Sequence, residues 1–200
     1  MHIADGIVTL PVLAGSTTLA LAGVAIGLAR TKYEQIPQTA VLSASFFVAS
    51  LIHVPIGPGQ VHLVLNGLAG LILGWSVFPA LLIALLLQAI LFGYGGVTVL
   101  GINTLNMALP GVICFYLFRA VLKNCQTRPA VFASGFILGG AAIAGSAVMI
   151  AATLYLTNQE FVEVAGAILL AHIPIIIVEG AMTGAALVFL KKVSPQIFNQ

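Results

Sequence analysis

Charge is scarce in this chain of 200 residues: seven Lys and Arg and five Asp and Glu, 6% in all. A water-soluble domain carries roughly a quarter of its residues as charges. So small a supply cannot solvate a surface of this size, which excludes water as the main solvent. There is no basic tail, and the net charge is only +2, so nucleic acid is set aside as a partner. Only two cysteines occur, Cys114 and Cys125. They match no metal-ligand spacing and no disulfide framework, and read as unpaired structural thiols. No cation precedes Arg30. The start therefore lacks the cationic region of a secretory leader, and the first residues are expected to survive in the mature protein. A Gly-x-x-x-x-Gly-Lys-Ser/Thr loop is missing, so ATP is not hydrolysed by that route.

What the chain has instead is apolar length: 60% of its residues are hydrophobic. A hydrocarbon core of about 30 Å needs about 20 helical residues. The runs predict about seven transmembrane helices: Pro11 to Ala29, Gln38 to His53, Val61 to Trp75, Val77 to Phe92, Asn103 to Leu122, Pro129 to Leu156, and Phe161 to Leu190. Pro79 can open a helix, whereas Pro110 and Pro174 are expected to kink theirs. The fold class is thus all-α, a polytopic membrane protein. All the cations (Arg30, Lys32, Arg119, Lys123, Arg128, Lys191 and Lys192) follow spans one, five and seven. These ends share one side, and the positive-inside rule makes it cytoplasmic. The N-terminus then lies outside and the C-terminus inside, in a cytoplasmic membrane. The chain reads as one transmembrane domain, 1–200, with 1–10 an external plug and 11–192 the seven-helix bundle. The 21 glycines suit close helix packing.

Polar side chains at membrane depth are costly and ask for a role. The candidates are Glu179, His172, Gln88, Asn66, Asn103 and Asn106. His2, His53 and His62 gather on the outer side, the last two flanking a Gly/Pro-rich loop. Clustered imidazoles suit Ni, Co, Zn or Cu, although a membrane histidine such as His53 or His172 can equally be a hydrogen-bonded packing residue. Glu179 lies about 24 Å along its span from Glu163 if that span is one helix. It reads as a helix-to-helix hydrogen bond or a gate. His2 is more specific. A free Met1 amine, the deprotonated His2 amide nitrogen and the His2 imidazole can close a five- and a six-membered chelate ring on one metal. A fourth nitrogen, best supplied by His62, would complete a square plane that suits Ni(II) or Cu(II). The alternative is that His2 merely follows the start.

At these residues a family becomes visible. Met1-His2-Ile3-Ala4-Asp5-Gly6 resembles the Met-His-Ile-Pro-Asp-Gly opening of the substrate-capture (S) subunits, of the CbiM and NikM type, in energy-coupling-factor importers for cobalt and nickel. Ala4 replaces the usual proline. Residues Val54 to Gly67, Leu91 to Met107 and His172 to Gly180 resemble that family's blocks as well. The likeness runs over nearly the whole chain and does not separate cobalt from nickel. It implies a seven-helix fold with the N-terminal segment plugged into an outward-facing pocket. It also implies ligation by the Met1 amine, the His2 amide and imidazole, and the His62 imidazole. It marks Asn66, Asn103, His172 and Glu179 as important, as a supporting shell or gate. It further implies no permanent cofactor, with Co2+ or Ni2+ as the transported substrate. The implied partners are a transmembrane coupling (T) subunit, an ATP-binding-cassette ATPase pair and possibly a small accessory membrane subunit, all within the lipid bilayer. Ala40, Ser43 and Ala44 offer a small-residue face for docking or for internal packing. Three rival functions make other demands on the sequence. A vitamin-importer subunit would want an aromatic pocket. An intramembrane metalloenzyme would want a His-Glu-x-x-His helix. A channel would need weaker binding than such a chelate gives.

Overall fold

The structure, a computed structural model, describes residues 2–56, 59–122 and 127–195. The chain is built from helices, with one short hairpin among the described residues. In order these are α1 (Leu10–Arg30), α2 (Ile36–Ala49), β1 (His53–Ile56), β2 (Gly59–His62), α3 (Asn66–Leu73), α4 (Val77–Phe92), α5 (Leu100–Leu122), α6 (Arg128–Thr157), α7 (Val162–Ala171) and α8 (Ile173–Val193). Five apolar runs are long enough to cross a membrane: Leu10–Arg30, Asn66–Phe92, Leu100–Val121, Arg128–Thr157 and Gln159–Val193.

The expected spans therefore appear in altered form at three places. The second becomes α2, which has 14 residues, short of a full crossing by length alone. The third was expected to be helical from Val61. Residues 59–62 instead pair antiparallel with 53–56, placing His53 opposite His62, and helix begins only at Asn66. The seventh is two helices joined at His172. Pro174 sits in the first turn of α8, where its missing N–H costs nothing, and so opens a helix rather than kinking one. Pro110 does lie inside α5. Pro79 falls in the first turn of α4.

Packing gives the helices their directions. α3 runs alongside α5 in the same sense: Asn66 bonds to Met107, Gly70 abuts Gly111, and Gly74 meets the Phe115 ring. The chain then turns at Gly74, whose φ of +55° only glycine adopts without strain. α4 starts beside the end of α1, with Pro79 against Gly27 and Phe78 against Gly23. α6 and α8 lie antiparallel along a seam of small residues. A Cβ on Gly135 would come within 2.8 Å of the Gly184 Cα, and one on Gly139 within 2.6 Å of the Thr183 Cβ. In lipid, where apolar burial drives little association, such close approach provides much of the packing energy.

The distribution of polarity is that of a membrane protein. Large apolar side chains such as Leu10, Leu19, Ile90, Ile137, Leu170 and Phe189 face outward. Asn66, Gln88, Asn103, Asn106, Ser146, His172 and Glu179 are buried inside, among Phe46, Leu81, Ile102, Met107 and Ile143. Ser43 donates to the Ala80 carbonyl at 2.7 Å, so it helps pack α2 on α4. Ala40 and Ala44 line an open apolar groove of about 600 Å³ between the same two helices.

Candidate metal centre

The N-terminal segment is clamped at the head of α5. Asn103 holds Ile3 from both sides. The Ile3 N–H donates to Asn103 Oδ1 at 3.0 Å, and Asn103 Nδ2 donates to the Ile3 carbonyl at 3.1 Å. An asparagine carries one acceptor and one donor at the spacing of a peptide group, so it pairs with a backbone as a strand would. One step on, the Asp5 N–H donates to the Gly95 carbonyl at 3.0 Å, and Thr98 Oγ1 donates to the Asp5 carboxylate. Gly95 and Gly96 both have positive φ, +75° and +127°. A Cβ on Gly95 would lie 2.9 Å from Asn103 Nδ2 and 3.2 Å from His2 Cβ. A side chain there would crowd the seated segment.

This clamp carries His2 to His62. The two rings stack with centroids 4.9 Å apart and planes 22° apart. The Tyr94 ring also stacks on His2, with centroids 6.3 Å apart. His62 is buried, and its Nδ1 lies 2.9 Å from the Leu63 carbonyl. That contact needs a proton on Nδ1 and leaves Nε2 as the lone-pair nitrogen, the usual way a backbone carbonyl orients a ligating imidazole. Met1 lies outside the described residues.

Behind His62 the chain runs through Val64 and Leu65 into α3. Glu179, fully buried on α8, takes both of these backbone N–H groups: Val64 donates to Oε1, and Leu65 donates to Oε1 at 2.9 Å and to Oε2 at 3.0 Å. Asn66 then donates to the Met107 carbonyl at 2.9 Å and to Ser146 Oγ at 2.8 Å, tying α3 to α5 and α6. The structure thus brings His2, His62, Asn103, Asn66 and Glu179 into one connected region. His172 makes no polar contact with these groups among the described residues. Its Nδ1 meets the Ile168 carbonyl at 2.6 Å, and its buried Nε2 has no hydrogen-bond partner among the described residues. No group of three or more His, Cys, Asp and Glu side chains converges among those residues. The side chain of His53 lies outside the described residues.

Sequence reasoning missed Tyr94, Gly95, Asp5 and Thr98. All but Asp5 lie within the Leu91 to Met107 block, in which the sequence points to Asn103 and Asn106. The Gly93-Tyr94-Gly95-Gly96 run is the available signal.

Comparison with known proteins finds relatives over the whole chain. Residues 2–197 match the family described as CbiM, cobalt uptake substrate-specific transmembrane region. A Haemophilus influenzae protein named for metal transport is 41% identical over all of this chain and 98% of its own length. The cobalt transport protein CbiM of Sorangium cellulosum is 31% identical over all of this chain and 95% of its own. A crystal structure of a truncated transition metal transporter superposes with a TM-score of 0.83 at 27% identity, covering 96% of this chain and 99% of that one.

Proposed function

The chain belongs to the CbiM family of cobalt and nickel transport membrane proteins, and from that premise we propose that it is the substrate-capture subunit of an energy-coupling-factor importer for Co2+ or Ni2+. The observation that carries the site is the stacking of His2 on His62 at 4.9 Å, with the intervening backbone clamped by Asn103. Metal–imidazole bonds are about 2 Å long. Two ring nitrogens on one ion are then no more than about 4 Å apart, so in this reading the rings turn out of their stacked arrangement when metal binds. The Met1 amine, the His2 amide nitrogen and imidazole, and the His62 imidazole form a four-nitrogen set around the metal substrate. Asn103 supports the N-terminal arm. Glu179 and Asn66 support the His62 arm.

In this reading the chain crosses the cytoplasmic membrane about seven times, with the N-terminus outside. The third crossing combines the hairpin, the link through Val64 and Leu65, and α3; α7 and α8 together make the last. The direction reversals at Gly74 and the one-sided cations support that count. Uphill import requires energy from elsewhere, supplied by a coupling subunit and an ATPase pair, with a small accessory membrane subunit as a further partner. The exposed Ala40 and Ala44 on α2 are the proposed contact for the coupling subunit.

The deciding experiment adds two residues before Met1 and measures cell-associated nickel and cobalt. The terminal amine is then displaced from the chelate, and uptake is expected to vanish. Retained uptake would remove the N-terminal chelate from the mechanism.

A further inference from the structure

Glu179 is a carboxylate buried at membrane depth that does not serve as a metal ligand in the site described above. We propose that it is a positioning residue, which holds the segment behind His62 and so fixes where that imidazole stands relative to His2. Three features converge on it. First, Val64 and Leu65 lie between a strand and a helix, where their N–H groups find no partner in regular structure. In a bilayer such groups must be satisfied by protein. Glu179 satisfies both, with Oε1 shared between them and Oε2 also reaching Leu65. Second, Leu65 has φ +52°, the one positive-φ residue other than glycine among those described. A leucine adopts this conformation only where its surroundings enforce it. The carboxylate that binds its N–H is one holding contact, and the Ala69 N–H on its carbonyl is another. Third, Glu179 is itself held rigidly, because Gly180 next to it packs on the Phe136 carbonyl and Gly184 on that of Phe132, across the α6–α8 seam.

The consequence is a division of support. His2 takes its position from α5 through Asn103, whereas His62 takes its position from α8 through Glu179. The anchor's effect on metal rests on the four-nitrogen site proposed above. Its effect on the backbone does not.

The test uses the full chain in nanodiscs with three variants, Glu179→Leu, Glu179→Gln and His62→Ala. Gln keeps an acceptor oxygen for both N–H groups, whereas Leu keeps none. Hydrogen–deuterium exchange of metal-free protein reads the anchor directly. Peptides covering residues 63–66 are expected to exchange at least about tenfold faster in Glu179→Leu and near the native rate in Glu179→Gln. The Ni(II) absorption band and affinity read the consequence. Glu179→Leu is expected to bind nickel roughly 10–100-fold more weakly and to share the shifted band of His62→Ala, with Gln restoring both. Unchanged exchange in Glu179→Leu would overturn the anchor whatever the metal does. Faster exchange with a native band and affinity would overturn the positioning of His62. If His62→Ala itself binds nickel normally, the four-nitrogen site fails, while the anchor is still decided by exchange.

Discussion

The two arms of the proposed metal site are held in contrasting ways. The N-terminal arm comes in from the exposed residues 4–7 and is tied down by backbone pairing, with Asn103 on both sides of the buried Ile3 and Asp5 on Gly95. The His62 arm is threaded into the interior, where Glu179, Asn66 and Ser146 are all buried. Lifting the N-terminal arm carries its own backbone groups out to water and leaves only the buried Asn103 amide without its partner. Moving the buried arm strands N–H groups where no water reaches, at about 1–3 kcal/mol for each. Capture and release thus suit the N-terminal arm, and the His62 arm suits the role of a fixed post.

Several measurements would break or sharpen this contrast. The largest effect is expected from extending the chain before Met1, which removes the amine and closes the chelate to metal, giving no uptake above background in cells. His62→Ala keeps three nitrogens and is expected to lower affinity by about two orders of magnitude or more, beyond the roughly 10–100-fold typical of supporting groups. Isothermal titration with nickel and cobalt measures it, and an equal loss in both variants would erase the distinction between arms. Asn103→Ala leaves the Ile3 N–H and carbonyl without their partner and is expected to weaken binding roughly 10–100-fold. Because the freed segment adjoins the exposed residues 4–7 and can move out to water, its melting temperature without metal should fall less than that of Glu179→Leu. Acid should weaken capture as well. Binding displaces at least the amide proton, so affinity should fall by about tenfold or more for each pH unit lowered. A pH-independent Kd would show that the amide keeps its proton. The smallest effect is expected from Gly95→Ala, which strains a φ of +75° and crowds Asn103. Roughly 1–3 kcal/mol of strain is expected to appear mainly as a faster metal off-rate.

Much of the architecture was legible because lipid imposes a simple rule on composition. α1, α4, α5 and α6 lie within a few residues of the runs that hydropathy marks. The same rule failed around Val61 to Leu65. An apolar stretch of that length suits a strand as well as a helix, and only the pairing of 53–56 with 59–62 decides it. It failed again at His172, where an unbroken apolar run conceals a junction of two helices. The candidate site was legible in its ends. His2 stood out by chemistry and His62 by its loop, and the family likeness joined them. Their stacking cannot be read from spacing, since sixty positions separate them. Glu179 stood out as a buried acid, but its role was hidden because its partners are main-chain N–H groups, which any residue type provides. Tyr94 and Gly95 were hidden for a related reason: a turn glycine is common, and its meaning comes from what it lets approach.

The brevity of α3 has a further consequence. Its eight residues rise only about 12 Å, less than half of a hydrocarbon core. In the proposed third crossing, strand, link and carboxylate fill the remaining depth. A helix meets a thicker or thinner bilayer by tilting as a whole, but this column has no continuous helix to tilt. Its non-helical half would have to stretch or fold at the link between His62 and Asn66. Bilayer thickness, set by acyl-chain length in reconstituted membranes, therefore acts on the same few residues that carry the imidazole.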